Sequence, residues 1–388
     1  MRVALCGDGR SPHTYRWANA VADRGHEVAV VWESQDLAGA DLVRYRDSIS
    51  HHTHVRATPQ RRPWMMPLAP VTAYQLARAL MPDVVHGLYL SGYGWTAHAL
   101  RKHPLVLSAL GSDVLDLDRG TALSFPPAGT AYGVWRTRRA VAAADAVFAD
   151  SAAIADAVVQ HVPGTSTRIV RFGVEIRSAT ATARSEWRRR LRVGENDFVA
   201  LSSRVIRANY NIDTIIQSFA EIHAQIPGSV LVLKEYPPSS DVDYRRRCFE
   251  LIDELDIGDA VRAVGELEPE ELLELHTAAD VYLSVPSRDG TAVSVLEAMV
   301  AGAAIVATDA PGIDPEILRA DDTALLVPPG DSAALASAVV ALWRDGELRA
   351  RLVRRAAEIV RLHGDFDREV DGAVELYEEL VASRYRPR

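Results

Sequence analysis

Short apolar runs alternate with helical patterns along this chain in two successive series, and that alternation constrains the fold more than any other feature. In the first half, strand-like runs fall at 3–6, 28–32, 84–86, 105–108, 146–149 and 169–172, each beside Gly, Pro, Asp or Ser. Helical patterns such as 15–24 and 137–144 lie between them. A second series places strands at 198–202, 230–233, 261–264, 281–284, 305–307 and 325–327, with helices at 212–224, 244–255, 269–278 and 293–300. From Ala333 onward the pattern is nearly all helical. Strands that alternate with helices imply parallel sheets with crossover helices. Two such doubly wound units in series imply an α/β protein with its ligand cleft at the carboxyl ends of the strands, between the domains. The stretch 178–192, rich in Ala, Thr, Ser and Arg, interrupts the alternation and suits a linker leading into a helix.

The bulk properties exclude several classes. A chain of 388 residues, 48% hydrophobic and 24% charged, is long and apolar enough for two folded cores. A net charge of −9 argues against a general nucleic-acid binder. Lys102 and Lys234 are the only lysines among 43 basic residues, a bias we attribute to a GC-rich genome. Cys6 and Cys248 lie in different expected domains, so a disulfide framework is not expected and a reducing compartment, the cytoplasm, is. The sequence opens directly on the strand RVALC without a secretory pattern, and no apolar run reaches the length of a membrane span.

The densest chemistry lies at 287–312, SRDGTAVSVLEAMVAGAAIVATDAPG. Asp289 precedes a Gly290-Thr291 turn, a helix follows through Ala292 and Val293, and Glu297 stands eight residues after Asp289. A helix start presents free N–H groups and a positive dipole end, which suits a phosphate. Glu297, one turn further, can accept hydrogen bonds from sugar hydroxyls. A phosphate site beside a diol-binding carboxylate is what a nucleotide sugar needs.

This block resembles the donor-site signature of glycosyltransferase family 4, retaining enzymes of the GT-B fold. Leu296-Glu297-Ala298-Met299, Gly302, the strand that follows, Gly312 and the later LLVPPGD fall in family order. Asp289 stands where the family carries its first Glu, and Glu316 is the family's common Pro-Glu acid. The resemblance implies two Rossmann-like domains facing each other across a cleft: 1–177 on the acceptor side, 178–365 on the donor side, and 366–388 as a helix crossing back to the first. It implies sugar transfer from a nucleotide-sugar donor, with retention, to a hydroxyl or amine on a glycan, a lipid-linked intermediate or a natural product. It also implies that the diphosphate is held by protein cations and helix dipoles, with no metal and no cofactor. Asp289 would contact the sugar, Glu297 the donor ribose, and the N–H groups of Gly290, Thr291, Ala292 and Val293 the phosphates.

Other positions follow more loosely. Gly7-Asp8-Gly9-Arg10-Ser11 closes the first strand, and the resemblance places Gly9 at the donor phosphate, with Arg10 and His13 within reach of the same cleft. Arg204 matches the first of two diphosphate cations. The second, a Lys in relatives, is missing, because its place holds Asn209 and Tyr210; Arg207 and Lys234 are the two replacements on offer. Leu267 marks the segment where relatives bind the base through backbone atoms. The resemblance offers His86 and Asp113 as catalytic-side candidates, with Asp113 in a stretch similar to the family's acceptor-side loop, where it would bind acceptor or sugar hydroxyls. Leu88 stands where relatives carry a further His, and a buried core His86 and a helix-capping Asp113 are the competing readings. His51-His52-Thr53-His54 is expected to form a solvated loop rather than a metal site. Arg61-Arg62-Pro63-Trp64 offers membrane contact or simple packing. Two rival functions remain at this level: a GT-B nucleotide-sugar epimerase and a non-catalytic nucleotide-sugar-binding subunit.

Overall fold

The computed structural model describes residues 1–33, 44–54, 69–100, 102, 104–117, 130–177, 180, 182–235 and 241–384. The 61–67 segment, three positions of the expected linker (178, 179 and 181) and the Pro-Pro at 237–238 lie outside the described residues. The chain divides into two compact units, Met1–Phe172 with Phe366–Arg388, and Gly173–Asp365.

In the first unit seven strands pair in parallel: β1 (Arg2–Cys6), β2 (Glu27–Glu33), β3 (Ser50–His54), β4 (Val84–Leu88), β5 (Leu105–Ala109), β6 (Ala146–Ala149) and β7 (Thr167–Ile169). Their order is β3-β2-β1-β4-β5-β6-β7. Six helices belong to the same run of chain: α1 (Pro12–Asp23), α2 (Ala69–Leu80), α3 (Tyr93–Ala99), α4 (Ser112–Leu115), α5 (Thr130–Ala142) and α6 (Ala152–His161). The second unit has β8 (Phe198–Ser202), β9 (Ser229–Lys234), β10 (Val261–Val264), β11 (Val281–Ser284), β12 (Ala304–Thr308) and β13 (Leu325–Val327). Its parallel order is β10-β9-β8-β11-β12-β13. The helices of this unit are α7 (Ala183–Arg190), α8 (Ile212–Gln225), α9 (Val242–Glu254), α10 (Pro269–Thr277), α11 (Val293–Ala301), α12 (Ser332–Arg344) and α13 (Gly346–His363). The chain's last helix, α14 (Phe366–Arg384), belongs to the first unit and packs on α1.

Central strands such as β4, β5, β8 and β11 are buried at every residue, because helices cover both faces of each sheet. Two apolar clusters line the opposite faces of the second sheet. One is built on Ile215, Phe219 and Val339, the other on Leu296, Ile305 and Val360. Both sheets reverse their strand order beside their first strand, between β1 and β4 and between β8 and β11. Ligands of doubly wound sheets bind at the carboxyl ends of the strands that flank such a reversal.

Three local expectations are corrected. The His51–His54 run is a strand, β3, rather than a loop; Trp32 donates to His51 Nδ1 at 3.2 Å, and the Tyr45 ring lies 4.6 Å from that imidazole. The strand expected at 169–172 ends at Ile169, and Phe172 turns inward against Trp17. The helix expected from Thr137 begins at Thr130, almost two turns earlier.

Candidate functional site

Strands β8 and β11 end at the reversal of the second sheet, and the residues after them meet. Arg204, just past β8, sends one guanidinium nitrogen to Asp289 Oδ2 at 2.5 Å and another to Ser294 Oγ at 3.3 Å. The Tyr210 ring lies 4.1 Å from the same guanidinium, so the cation is held on three sides. The side chains of Arg204 and Asp289 keep 11% and 17% of their exposure, which is too little for water to screen the pair fully. Burial raises the Asp289 carboxyl above the usual range against the opposing pull of Arg204 and the Gly290 N–H. The carboxylate expected to face a sugar is therefore engaged, in this structure, in fixing Arg204.

Asp289 sits on a loop that leads into α11. Where α6, α12 and α13 are capped by the side chains of Ser151, Asp331 and Asp345, the N-cap of α11 is Ala292, which supplies no side-chain cap. No acidic residue lies in the first turn of α11. An anion placed there meets N–H groups and the dipole without a competing carboxylate. The loop is pinned from both sides. Asn209 Nδ2 donates to the Arg288 carbonyl, and Asn211 Nδ2 donates to the Val285 carbonyl at 2.8 Å and to Ser287 Oγ. Thr291 Oγ1 donates to Asp314 Oδ2 at 3.2 Å, while Asp314 Oδ1 accepts the Glu316 N–H. The Asn209-Tyr210 turn, which stands in place of a lysine, thus acts through the loop and through Arg204.

Beneath Arg204 runs a buried polar chain. Ser203 Oγ joins His276 Nε2 at 3.1 Å and Tyr282 Oη at 2.9 Å, and Tyr282 also bonds the Ser294 side chain. Burial pushes His276 down to about 3, so its imidazole is neutral at physiological pH. His276 and Tyr282 carry no motif, while Ser203 is marked in sequence only by its adjacency to Arg204 and Ser294 only by its place within the 287–312 block.

Lys234 ends β9 and is almost fully buried. Burial pulls its ammonium down to about 8, while Glu266 and Glu297 act in the opposite direction, which places Glu297 of α11 within electrostatic reach of Lys234. Arg207 lies in the turn after β8, and its Nε is buried without a hydrogen-bond partner among the described residues. Leu267 packs on the second apolar cluster. The second unit therefore gathers Arg204, Arg207, Lys234, Asp289, Glu297 and the start of α11 at one end of its sheet. Among the described residues no group of His, Cys, Asp and Glu is arranged to hold a metal ion.

The candidates in the first unit are placed differently. His86 is fully buried on β4, with Nε2 2.8 Å from Ser108 Oγ and Nδ1 2.6 Å from Tyr377 Oη. Trp17 donates to the same Tyr377 oxygen at 3.2 Å, which directs the phenol proton to Nδ1 and leaves Nε2–H for Ser108. Both ring nitrogens are thus engaged, Nδ1 by Tyr377 of α14 and Nε2 by Ser108 of β5, which agrees with the competing reading of His86 as a core residue. Asp113 is also buried; its oxygens accept the Leu90 and Leu110 N–H groups, tying together the turns after β4 and β5. Burial raises its carboxyl to about 6. This is a structural clasp, close to the competing helix-start reading. At Gly9 a Cβ would lie 2.2 Å from the Trp32 ring, and the Gly9 carbonyl accepts from Tyr45 at 2.7 Å. Packing alone requires glycine there. Gly9→Ala is expected to lower stability by about 2 kcal/mol through overpacking, read as a shifted urea midpoint. An unchanged midpoint would remove that account.

Comparison with known proteins follows the same division. Residues 183–359 match the family described as glycosyl transferases group 1, and residues 2–151 match the one described as glycosyl transferase 4-like. A phosphatidyl-myo-inositol mannosyltransferase of Mycobacterium leprae is 36% identical over 125 residues, covering 32% of this chain and 33% of that protein. A D-inositol 3-phosphate glycosyltransferase of Geodermatophilus obscurus is 28% identical over 320 residues, covering 78% of this chain and 69% of that one. The match thus spans a third of the length of the first relative and about two thirds of the second. The Anabaena protein HepE, solved with UDP and glucose, superposes with a TM-score of 0.80 at 19% identity, over 98% of this chain and 100% of that one. That likeness shows the fold, two Rossmann-like units of the GT-B type.

Proposed function

This chain belongs to the group 1 glycosyl transferases, and from that premise we propose that it moves a sugar from a nucleotide-sugar donor to a hydroxyl or amine acceptor with retention of anomeric configuration. The observation that carries the reading is Arg204, anchored by Asp289, Ser294 and Tyr210 beside the uncapped start of α11. A diphosphate there meets a fixed guanidinium, helix N–H groups and the nearby charge of Lys234 or Arg207. Preorganised charge of this kind stabilises a leaving diphosphate as its bond to the anomeric carbon breaks. The acceptor oxygen or nitrogen forms its bond to that carbon from the same face, and its proton passes to a phosphate oxygen of the leaving group. No protein general base is needed for that step. We propose no metal, since protein cations occupy the role a divalent ion would take. Glu297 would hold the donor ribose. The bound nucleotide of HepE is that protein's own, and here it supports only the general class of donor.

The test is thermal stabilisation by UDP, GDP, ADP and TDP added singly. One of them is expected to raise the melting temperature, because a ligand of the native state at a hundredfold excess over Kd adds about 2.7 kcal/mol. Glu297→Ala should remain folded and lose most of that shift. If none of the four shifts the wild-type protein, the non-catalytic reading moves ahead; an undiminished shift in Glu297→Ala removes the ribose assignment.

A further inference from the structure

The buried polar relay beneath Arg204 joins four separate elements of the second unit. Ser203 follows β8, Tyr282 lies on β11, His276 on α10 and Ser294 in the first turn of α11. Ser203, His276 and Tyr282 keep 1% or less of their exposure, in a layer otherwise filled by apolar side chains such as Leu275, Leu296 and Ile305. A buried hydroxyl or imidazole is costly unless it is hydrogen-bonded, and an apolar side chain fills such space without that demand. The relay also reaches two groups of the site. Arg204 donates to Ser294 Oγ at 3.3 Å, and Arg204 and Glu297 act on the Tyr282 phenol in opposite directions.

The relay has a direction. A guanidinium can only donate, so Ser294 Oγ accepts from Arg204. An order of protons that then satisfies every member runs from Ser294 to Tyr282 Oη, from Tyr282 to Ser203 Oγ at 2.9 Å, and from Ser203 to His276 Nε2 at 3.1 Å. The Leu272 backbone, one turn back along α10, acts on the ring in favour of its proton. With that proton on Nδ1, Nε2 is the last acceptor, and burial keeps the imidazole neutral at physiological pH. A fully satisfied relay in a dry interior polarises and stiffens its members. Ser294 is the member that faces the site. Its hydroxyl oxygen is held toward Arg204, while its N–H belongs to the open first turn of α11.

We propose that Ser203, Tyr282 and His276 are positioning residues: acting through Ser294, they hold the Arg204 guanidinium in register with the start of α11, so that cation and helix N–H groups meet the same diphosphate. The proposal rests on the donor reading above. It is tested by calorimetric titration at neutral pH with whichever of UDP, GDP, ADP and TDP most stabilises the wild-type protein. Tyr282→Phe removes one oxygen and is expected to weaken binding about tenfold. In a Ser294→Ala background the same change should have almost no further effect, because the link to Arg204 is already cut. His276→Leu should weaken binding as Tyr282→Phe does, and His276→Gln, whose carbonyl oxygen can still accept, should retain most of it. A merely structural role predicts a lower urea midpoint with wild-type affinity in every folded variant, and that result overturns the proposal. So does a full additional loss when Tyr282→Phe is added to Ser294→Ala. If His276→Leu does not fold, the Tyr282 and Ser294 variants decide alone. Arg204→Ala separates the two readings. Lost affinity there, with wild-type affinity in Tyr282→Phe, fails this proposal only. Wild-type affinity in Arg204→Ala, or no binding by the wild-type protein, fails the donor reading and this one with it.

Discussion

Replacing Arg204 with alanine is expected to weaken binding of the preferred nucleoside diphosphate at least a hundredfold, close to 3 kcal/mol of charge-assisted hydrogen bonding. The same change removes the cation beside Asp289, whose side chain keeps 17% of its exposure and whose carboxyl burial already raises. Breaking one partner out of a buried pair leaves the other charge uncompensated, so a stability loss of about 2 to 3 kcal/mol should accompany the binding loss. The two effects are separable. Adding Asp289→Ala to Arg204→Ala should restore part of the stability, because no lone carboxylate remains, while binding stays lost. Arg204→Lys keeps the charge but not the fork that reaches Asp289 and Ser294 together, and should fall between the two. Calorimetric titration with the diphosphate and urea unfolding of each variant read both quantities. Wild-type affinity in a folded Arg204→Ala protein would show that the phosphates lie elsewhere.

What could be read before the structure was known depended on how local its cause is. The Asp289–Glu297 block was legible because a helix start, a turn and a following strand lie within one short stretch, and the reversal between β8 and β11 brings Arg204 to it. The unusual Asn209-Tyr210 turn registered only as a missing lysine. Its actual work, stacking on Arg204 and pinning the 285–288 loop, needs residues some 75 positions away. His86 shows the limit most clearly. A histidine on an apolar strand next to catalytic-looking neighbours is ambiguous until Tyr377, 291 residues later, is found on its Nδ1. Gly9 read as a phosphate loop for the same reason: the Trp32 ring that excludes any side chain there arrives from the next strand. β3 carries little strand signal because three of the four residues at 51–54 are histidines, and Trp32 and Tyr45 supply the packing instead.

Acidification from pH 7 to pH 5 is expected to destabilise both units, and the buried histidines carry much of the effect. His86 and His276 are each pushed from about 6.5 to about 3 by burial. A group whose native value is depressed contributes stability that is complete above the unfolded value and is lost as pH falls through the window between the two. At pH 5 the unfolded imidazole is almost fully protonated and the native one is not, so each histidine costs about 2 kcal/mol relative to pH 7. The first unit has a counterweight in Asp113, raised from 3.8 to about 6. A raised group acts with the opposite sign, since its stabilisation is complete below 3.8 and lost as pH rises through 6, so acidification to pH 5 returns about 1 kcal/mol there. The second unit sets His276 against Asp289, whose carboxyl burial also raises, and the first unit adds His26, His51 and His52, each held below the ordinary imidazole value by burial. Because the two units need not unfold together, a single melting curve is the wrong probe. Peptide-resolved hydrogen exchange at pH 7 and pH 5, corrected for intrinsic rates, should show a loss of protection around His276 in β8, β11 and α10 as well as around His86 in β1, β4 and β5. His276→Gln preserves a hydrogen-bonding amide toward Ser203 and removes the titration, so protection in its unit should become nearly independent of pH over this interval, even from a lower starting value. An unchanged pH response in that variant would mean that some other group in the second unit takes up the proton.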